Sequence, residues 1–107
     1  MNEKYQIIIQ PEAQKTIEDA YFWFSNISHQ KGRTWLEGLY KSILSLEKMP
    51  SRCSLAFEND FFDQEIRQLI YGKGRNTYRI IFTIVDDDVQ ILFVRHSAQK
   101  PMSDESE

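Results

Sequence analysis

YRIIFTIVDDDVQILFVRH, running from Tyr78 to His96, is the stretch that decides the fold. Two apolar runs rich in β-branched and aromatic residues flank Asp86-Asp87-Asp88, a layout that predicts a β-hairpin. In the first run Tyr78, Ile80, Phe82 and Ile84 share one face, and Arg79, Ile81, Thr83 and Val85 the other. In the second, Val89, Ile91, Phe93 and Arg95 oppose Gln90, Leu92, Val94 and His96. A further strand is predicted upstream, from Glu65 to Tyr71. The glycine-containing segment Gly72 to Thr77 joins it to Tyr78 and suits a second hairpin.

Working outward, Tyr5 to Ile9 is a short β-branched run that predicts a first strand. Pro11 then stands where a helix tolerates a missing N–H, and Glu12 complements the positive end of the helix dipole. Ala13, Ile17, Ala20, Tyr21, Phe24 and Ile27 recur at helical spacing to about Ser28, while Phe22 and Trp23 lie partly off that stripe. A short break is expected at His29 to Gly32. A second amphipathic helix follows, with Trp35, Leu36, Leu39, Tyr40, Ile43, Leu46 and Met49 on its apolar side and Pro50 as its stop. Ser51 to Phe62 has no clean period and reads as a loop. The order is strand, helix, helix, strand, strand, strand. An α+β fold is therefore expected, a helical hairpin covering one face of a small, mostly antiparallel sheet. That layout should leave Arg79 and the end of the last strand open on the other face.

The chain has 107 residues, 41% of them hydrophobic and 13% aromatic, enough apolar surface for one folded domain, expected over residues 1–102. Asp104, Glu105 and Glu107 mark residues 103–107 as an acidic tail, expected to be disordered. Every apolar stretch is interrupted within about ten residues, too short to cross a bilayer. Met1 to Tyr5 has no secretory layout, and Cys53 is a lone cysteine, so a reducing cytoplasmic location is expected. The net charge is −3, yet between Arg67 and Lys100 the basic residues Arg67, Lys73, Arg75, Arg79, Arg95 and Lys100 outnumber Asp86, Asp87 and Asp88. A local basic face is one reading; solvated strand and turn residues are the plainer one. Cys53, His29 and His96 are scattered singly, which excludes a zinc cluster. Gly72-Lys73-Gly74 lacks phosphate-loop spacing, and the aspartate run is too compact for a calcium loop. No metal or organic cofactor is implied.

Three local patterns, in that element order, resemble the RelE/ParE superfamily of toxins from type II toxin–antitoxin modules. They are the helix ending Ile43-Leu-Ser-Leu-Glu-Lys-Met-Pro50, the pair Ile66-Arg-Gln-Leu69 and Tyr78-Arg-Ile-Ile-Phe82, and the closing strand Val89 to His96 with its Arg-His end. The resemblance covers Tyr5 to about Pro101. It implies a bacterial growth inhibitor of the kind linked to plasmid stabilisation, neutralised by a cognate antitoxin.

For the nuclease branch, the resemblance implies cutting of messenger RNA in the ribosomal decoding site. That reaction needs a base for the ribose 2′-hydroxyl, cations for the phosphorane-like charge and an acid for the leaving oxygen. Arg79 matches the motif arginine that contacts phosphate, Arg67 offers a second cation, and His96 an acid or base. Against these stand plainer roles: an ion pair from Arg79 to a carboxylate such as Asp63 or Glu65, and a hydrogen-bonded strand-end histidine. Past His96 the chain departs from the nuclease pattern, with Gln99 near an expected arginine and no later tyrosine or histidine. The ParE branch, which the chain resembles better, acts on DNA gyrase by binding, so an enzyme is not favoured. There Arg67, Arg75, Arg79, Arg95 and His96 are the candidate target-binding residues. A degenerate member that only binds its antitoxin is a third reading. Phe22, Trp23, Phe57, Phe61 and Phe62 are the candidate antitoxin-binding residues, with core filling as the alternative for each. The toxin reading rests on a helical hairpin over a small sheet that leaves Arg79 and the end of the last strand accessible; another topology, or an Arg79 guanidinium sealed in the interior, would overturn it.

Overall fold

A computed structural model of the chain describes residues 4–102. The elements are β1 (Gln6–Ile9), α1 (Pro11–Ile27), α2 (His29–Leu44), β2 (Arg67–Tyr71), β3 (Tyr78–Val85) and β4 (Asp88–His96). The sheet order is β1-β4-β3-β2, with β1 parallel to β4 and the other pairs antiparallel. The α+β layout expected from the pattern is therefore found, with the helical hairpin on one face of the sheet. The acidic tail at 103–107 lies outside the described residues.

α1 begins at Pro11 and buries Ala13, Ile17 and Phe24. The expected break at His29 to Gly32 is not there: those residues form the first turn of α2. Ser28 alone separates the helices. Its extended backbone ends α1, and its Oγ accepts from the Lys31 amide at 3.2 Å, capping α2. Gly32 does not break the chain either; it lets the helices approach, since a Cβ there would run into Ser25. Phe24 stacks on Trp35 across the hairpin at 5.2 Å. α2 buries Trp35, Leu39 and Ile43, and the short 3₁₀ turn after it buries Leu46. Met49, expected on that stripe, is exposed: its φ of 50° turns the chain out of register before Pro50.

Tyr78, Ile80 and Phe82 of β3 pack towards the helices with Val89, Ile91 and Val94 of β4. Strict alternation puts Phe93, not Val94, on that face. The difference is a β-bulge: Ile81 pairs with Phe93 but Phe82 with Ile91, so Leu92 is an extra residue and the phase flips beyond it.

The opposite face is not open. The chain at 54–56 extends the sheet beside β2, with the Ala56 amide donating to Ile66 O at 2.9 Å and the Gln68 amide to Ser54 O at 3.0 Å. Ala56, Ile66 and Ile81 form a second buried cluster, over which Phe62, Phe93 and Met102 pack. The aperiodic loop and the last described residues together cover the centre of this outer face.

Candidate functional site

Arg79, the second residue of β3, lies on that covered face and is only 2% exposed. Its Nη1 donates to Glu58 Oε1 at 3.0 Å and to Gln68 Oε1 at 2.8 Å, and its Nη2 donates to Glu58 Oε2 at 2.6 Å. Glu58 is fully buried, and the Met102 amide donates to its Oε2 at 2.9 Å. The Phe57 ring lies over the guanidinium, 5.0 Å from centroid to Cζ. The arginine's partner is thus Glu58, neither Asp63 nor Glu65, and its accessibility, expected from the sequence, is overturned. Burial alone pushes the Glu58 carboxyl up, but the hydrogen bonds from Arg79 and Met102 and the arginine's charge outweigh it. They hold the carboxyl below the ordinary carboxylate range.

Arg67 and His96 do not join Arg79. Arg67 pairs in register with Phe82 and His96 with Tyr78, which places both on the helix-facing side, while Arg79 pairs with Ile70 and Arg95 on the other. Arg67 donates to Cys53 O and, at 3.2 Å, to Glu65. His96 packs edge-on to Tyr78 at 5.0 Å. Its Nδ1 accepts from the Ala98 amide at 3.0 Å, so Nε2 carries the proton and donates to Arg75 O at 2.6 Å. Both ring nitrogens are committed to the backbone. Arg95 is half-buried and donates to Lys100 O at 2.7 Å. Arg75, in the turn between β2 and β3, is exposed.

The candidate antitoxin-binding aromatics also divide. Phe22 (61% exposed) and Trp23 (57%) stand side by side on α1. Phe57 (66%) and Phe61 (50%) belong to the loop that covers the far side of the sheet. Phe62 does not line a free surface: it packs edge-on against Phe93 at 6.3 Å in the second cluster. A groove of about 880 Å³ runs between the helical corner and the end of β2. Trp23, Ile27, Lys31 and Trp35 line it from the helices, Tyr71 from the end of β2 and Lys73 from the turn after it. Among the described residues no cluster of three or more His, Cys, Asp or Glu side chains is placed to hold a metal. No helix there is long and apolar enough to cross a membrane.

The family model for the ParE toxin of the type II toxin–antitoxin system parDE matches residues 7–101. The chain belongs to this family. Curated proteins yield no match to it. As a ParE-family toxin the chain keeps its assignment although Arg79 is sealed, so the tie between the two was mistaken. In this ParE-family chain the motif arginine serves the interior of the sheet. Sequence reasoning missed Glu58 and Gln68 as its partners, and missed the groove altogether. Its lining residues come from two stretches far apart in sequence, 23–35 and 71–76, with no shared motif, so no sequence signal marks it.

The lowered Glu58 carboxyl carries a pH consequence. Folding favours its ionised form, so its contribution is complete above the ordinary carboxylate range and is lost as pH falls through the lowered folded value. The stability gap between wild type and Glu58→Gln should therefore be widest near neutrality and shrink in acid. Urea unfolding from about pH 7 to about pH 3 measures it, and curves that stay parallel would show that the carboxylate does not titrate this way.

Proposed function

We propose that this toxin arrests bacterial growth in the cytoplasm by binding DNA gyrase rather than by cutting RNA, and that an antitoxin covering Phe22 and Trp23 neutralises it. The observation that carries the reading is the dispersal of the residues that cleavage would need. Arg79 and Arg67 lie on opposite faces of the sheet. Arg79 is spent on Glu58, and His96 has no free ring nitrogen. General acid–base chemistry requires such groups within hydrogen-bonding reach of one substrate. Binding does not. Arg75 and Arg95, near the end of the last strand and the turn beside it, are the candidates for target contact, with Arg79 paired beside Arg95 across the sheet. Phe57 and Phe61 lie on the far side of the sheet from α1, so an antitoxin that touches both patches must wrap an edge, as a segment that folds on binding can.

Inducible expression in a bacterium without the antitoxin tests the proposal. Filamentation and a DNA-damage response with intact transcripts are expected. Cleaved transcripts with arrested translation would establish a RelE-like ribosome-dependent endonuclease instead, and unaffected growth a degenerate member that only binds its antitoxin.

A further inference from the structure

α2 begins against its own dipole. Its first turn carries Lys31 and no acidic residue, although the N-terminal end of a helix bears partial positive charge and favours anions. Lys31 lines the groove described above, as does Lys73 from the turn after β2. No Asp or Glu lines it, on a chain whose net charge is −3. Its wall is otherwise largely aromatic and aliphatic, with Trp23 57% and Ile27 54% exposed. Trp35, also in the wall and only 7% exposed, has an indole N–H with no acceptor among the described residues. The groove thus combines uncovered apolar surface with positive charge that nothing in its lining offsets.

We infer that this groove receives an acidic, apolar segment of the cognate antitoxin. An apolar side chain lies against Trp23 and Ile27, and a neighbouring carboxylate sits between the α2 N-terminus, Lys31 and Lys73. The inference rests on the antitoxin reading above and assigns it a second anchor beside Phe22. A protein segment fits better than a nucleic acid, because a phosphate backbone recruits many cations and this groove presents two lysines in a mostly apolar lining. Opposite charges here also steer encounter, so the contact should act on association rate and its salt dependence.

The test measures binding of the purified cognate antitoxin to wild type and to the Lys31→Glu/Lys73→Glu double variant across a salt series. Both lysines are exposed, and an unchanged melting curve establishes that the variant is folded. The double variant should bind at least about tenfold more weakly, with a flattened salt dependence, while Lys31→Arg/Lys73→Arg keeps wild-type affinity. Tight binding by wild type with no loss in the charge-reversed variant overturns the groove assignment and leaves the antitoxin reading standing. Failure of wild type to bind the antitoxin at all overturns both. The occupant is also wrong if the reversal leaves antitoxin affinity intact but abolishes self-association, or binding to a single-stranded DNA oligonucleotide.

Discussion

Glu58→Gln will destabilise the fold by about 3–5 kcal/mol, because it strands the Arg79 guanidinium in the interior without its counter-charge. Both members are essentially sealed, 0% and 2% exposed, and the carboxylate takes both arginine Nη groups. Glutamine keeps the shape and one acceptor oxygen but loses the charge. Gln68 at 2.8 Å and the Phe57 face cannot replace it. Against the roughly 5–15 kcal/mol by which small domains exceed their unfolded state, a loss of that size brings the chain close to unfolding. The pair itself is a different matter. Removing two charges from water costs several kcal/mol each, so a double Glu58→Leu/Arg79→Met replacement should cost far less than the single change and come out near neutral. Urea unfolding of wild type, both single variants and the double variant yields the coupling energy directly. A Glu58→Gln loss under about 1 kcal/mol would mean that solvent reaches the guanidinium and that the covering loop does not seal it.

The same cluster shows where the sequence stopped being legible. Periodicity predicted every major element, because helices and strands differ in the spacing of their apolar residues and this chain keeps both spacings clean. The errors arose where two readings are degenerate or where partners are distant. Leu92, Phe93 and Val94 are all apolar, so nothing in the pattern marks the phase flip at the bulge. Ser28 caps the second helix within a single residue, and the polar run after it imitates a loop while forming a helical turn. Glu58 stands in an aperiodic loop 21 residues from Arg79, and the nearer carboxylates Asp63 and Glu65 were equally good partners by composition. Which charges meet across a sheet depends on how the loop folds back over it. Loop conformation is the level that hydrophobic spacing does not encode.

Replacing Phe22 and Trp23 together by alanine should weaken antitoxin binding by about 30-fold to about 1,000-fold, the span for loss of roughly 2–4 kcal/mol from aromatic anchors at an interface. The two rings are consecutive on α1 and more than half exposed, each resting edgewise or tilted on a neighbour, Phe22 on Tyr21 at 5.6 Å and Trp23 on Phe24 at 5.0 Å. They are thus oriented by packing while leaving apolar area uncovered, which a lone surface aromatic held by nothing would not be. Trp23 also forms part of the groove wall, so its removal takes away one side of that site as well. Neither ring belongs to the buried core, and stability should change by less than about 0.5 kcal/mol. Phe62→Ala supplies the contrast: that ring packs on Phe93 inside the second cluster, so its loss should lower stability while leaving antitoxin affinity close to wild type at temperatures where the fold persists. In cells the Phe22→Ala/Trp23→Ala toxin should resist rescue, arresting growth even when the antitoxin is co-expressed. If calorimetry finds the doubly substituted toxin binding as tightly as wild type, the exposed aromatic ridge of α1 is not where the antitoxin docks.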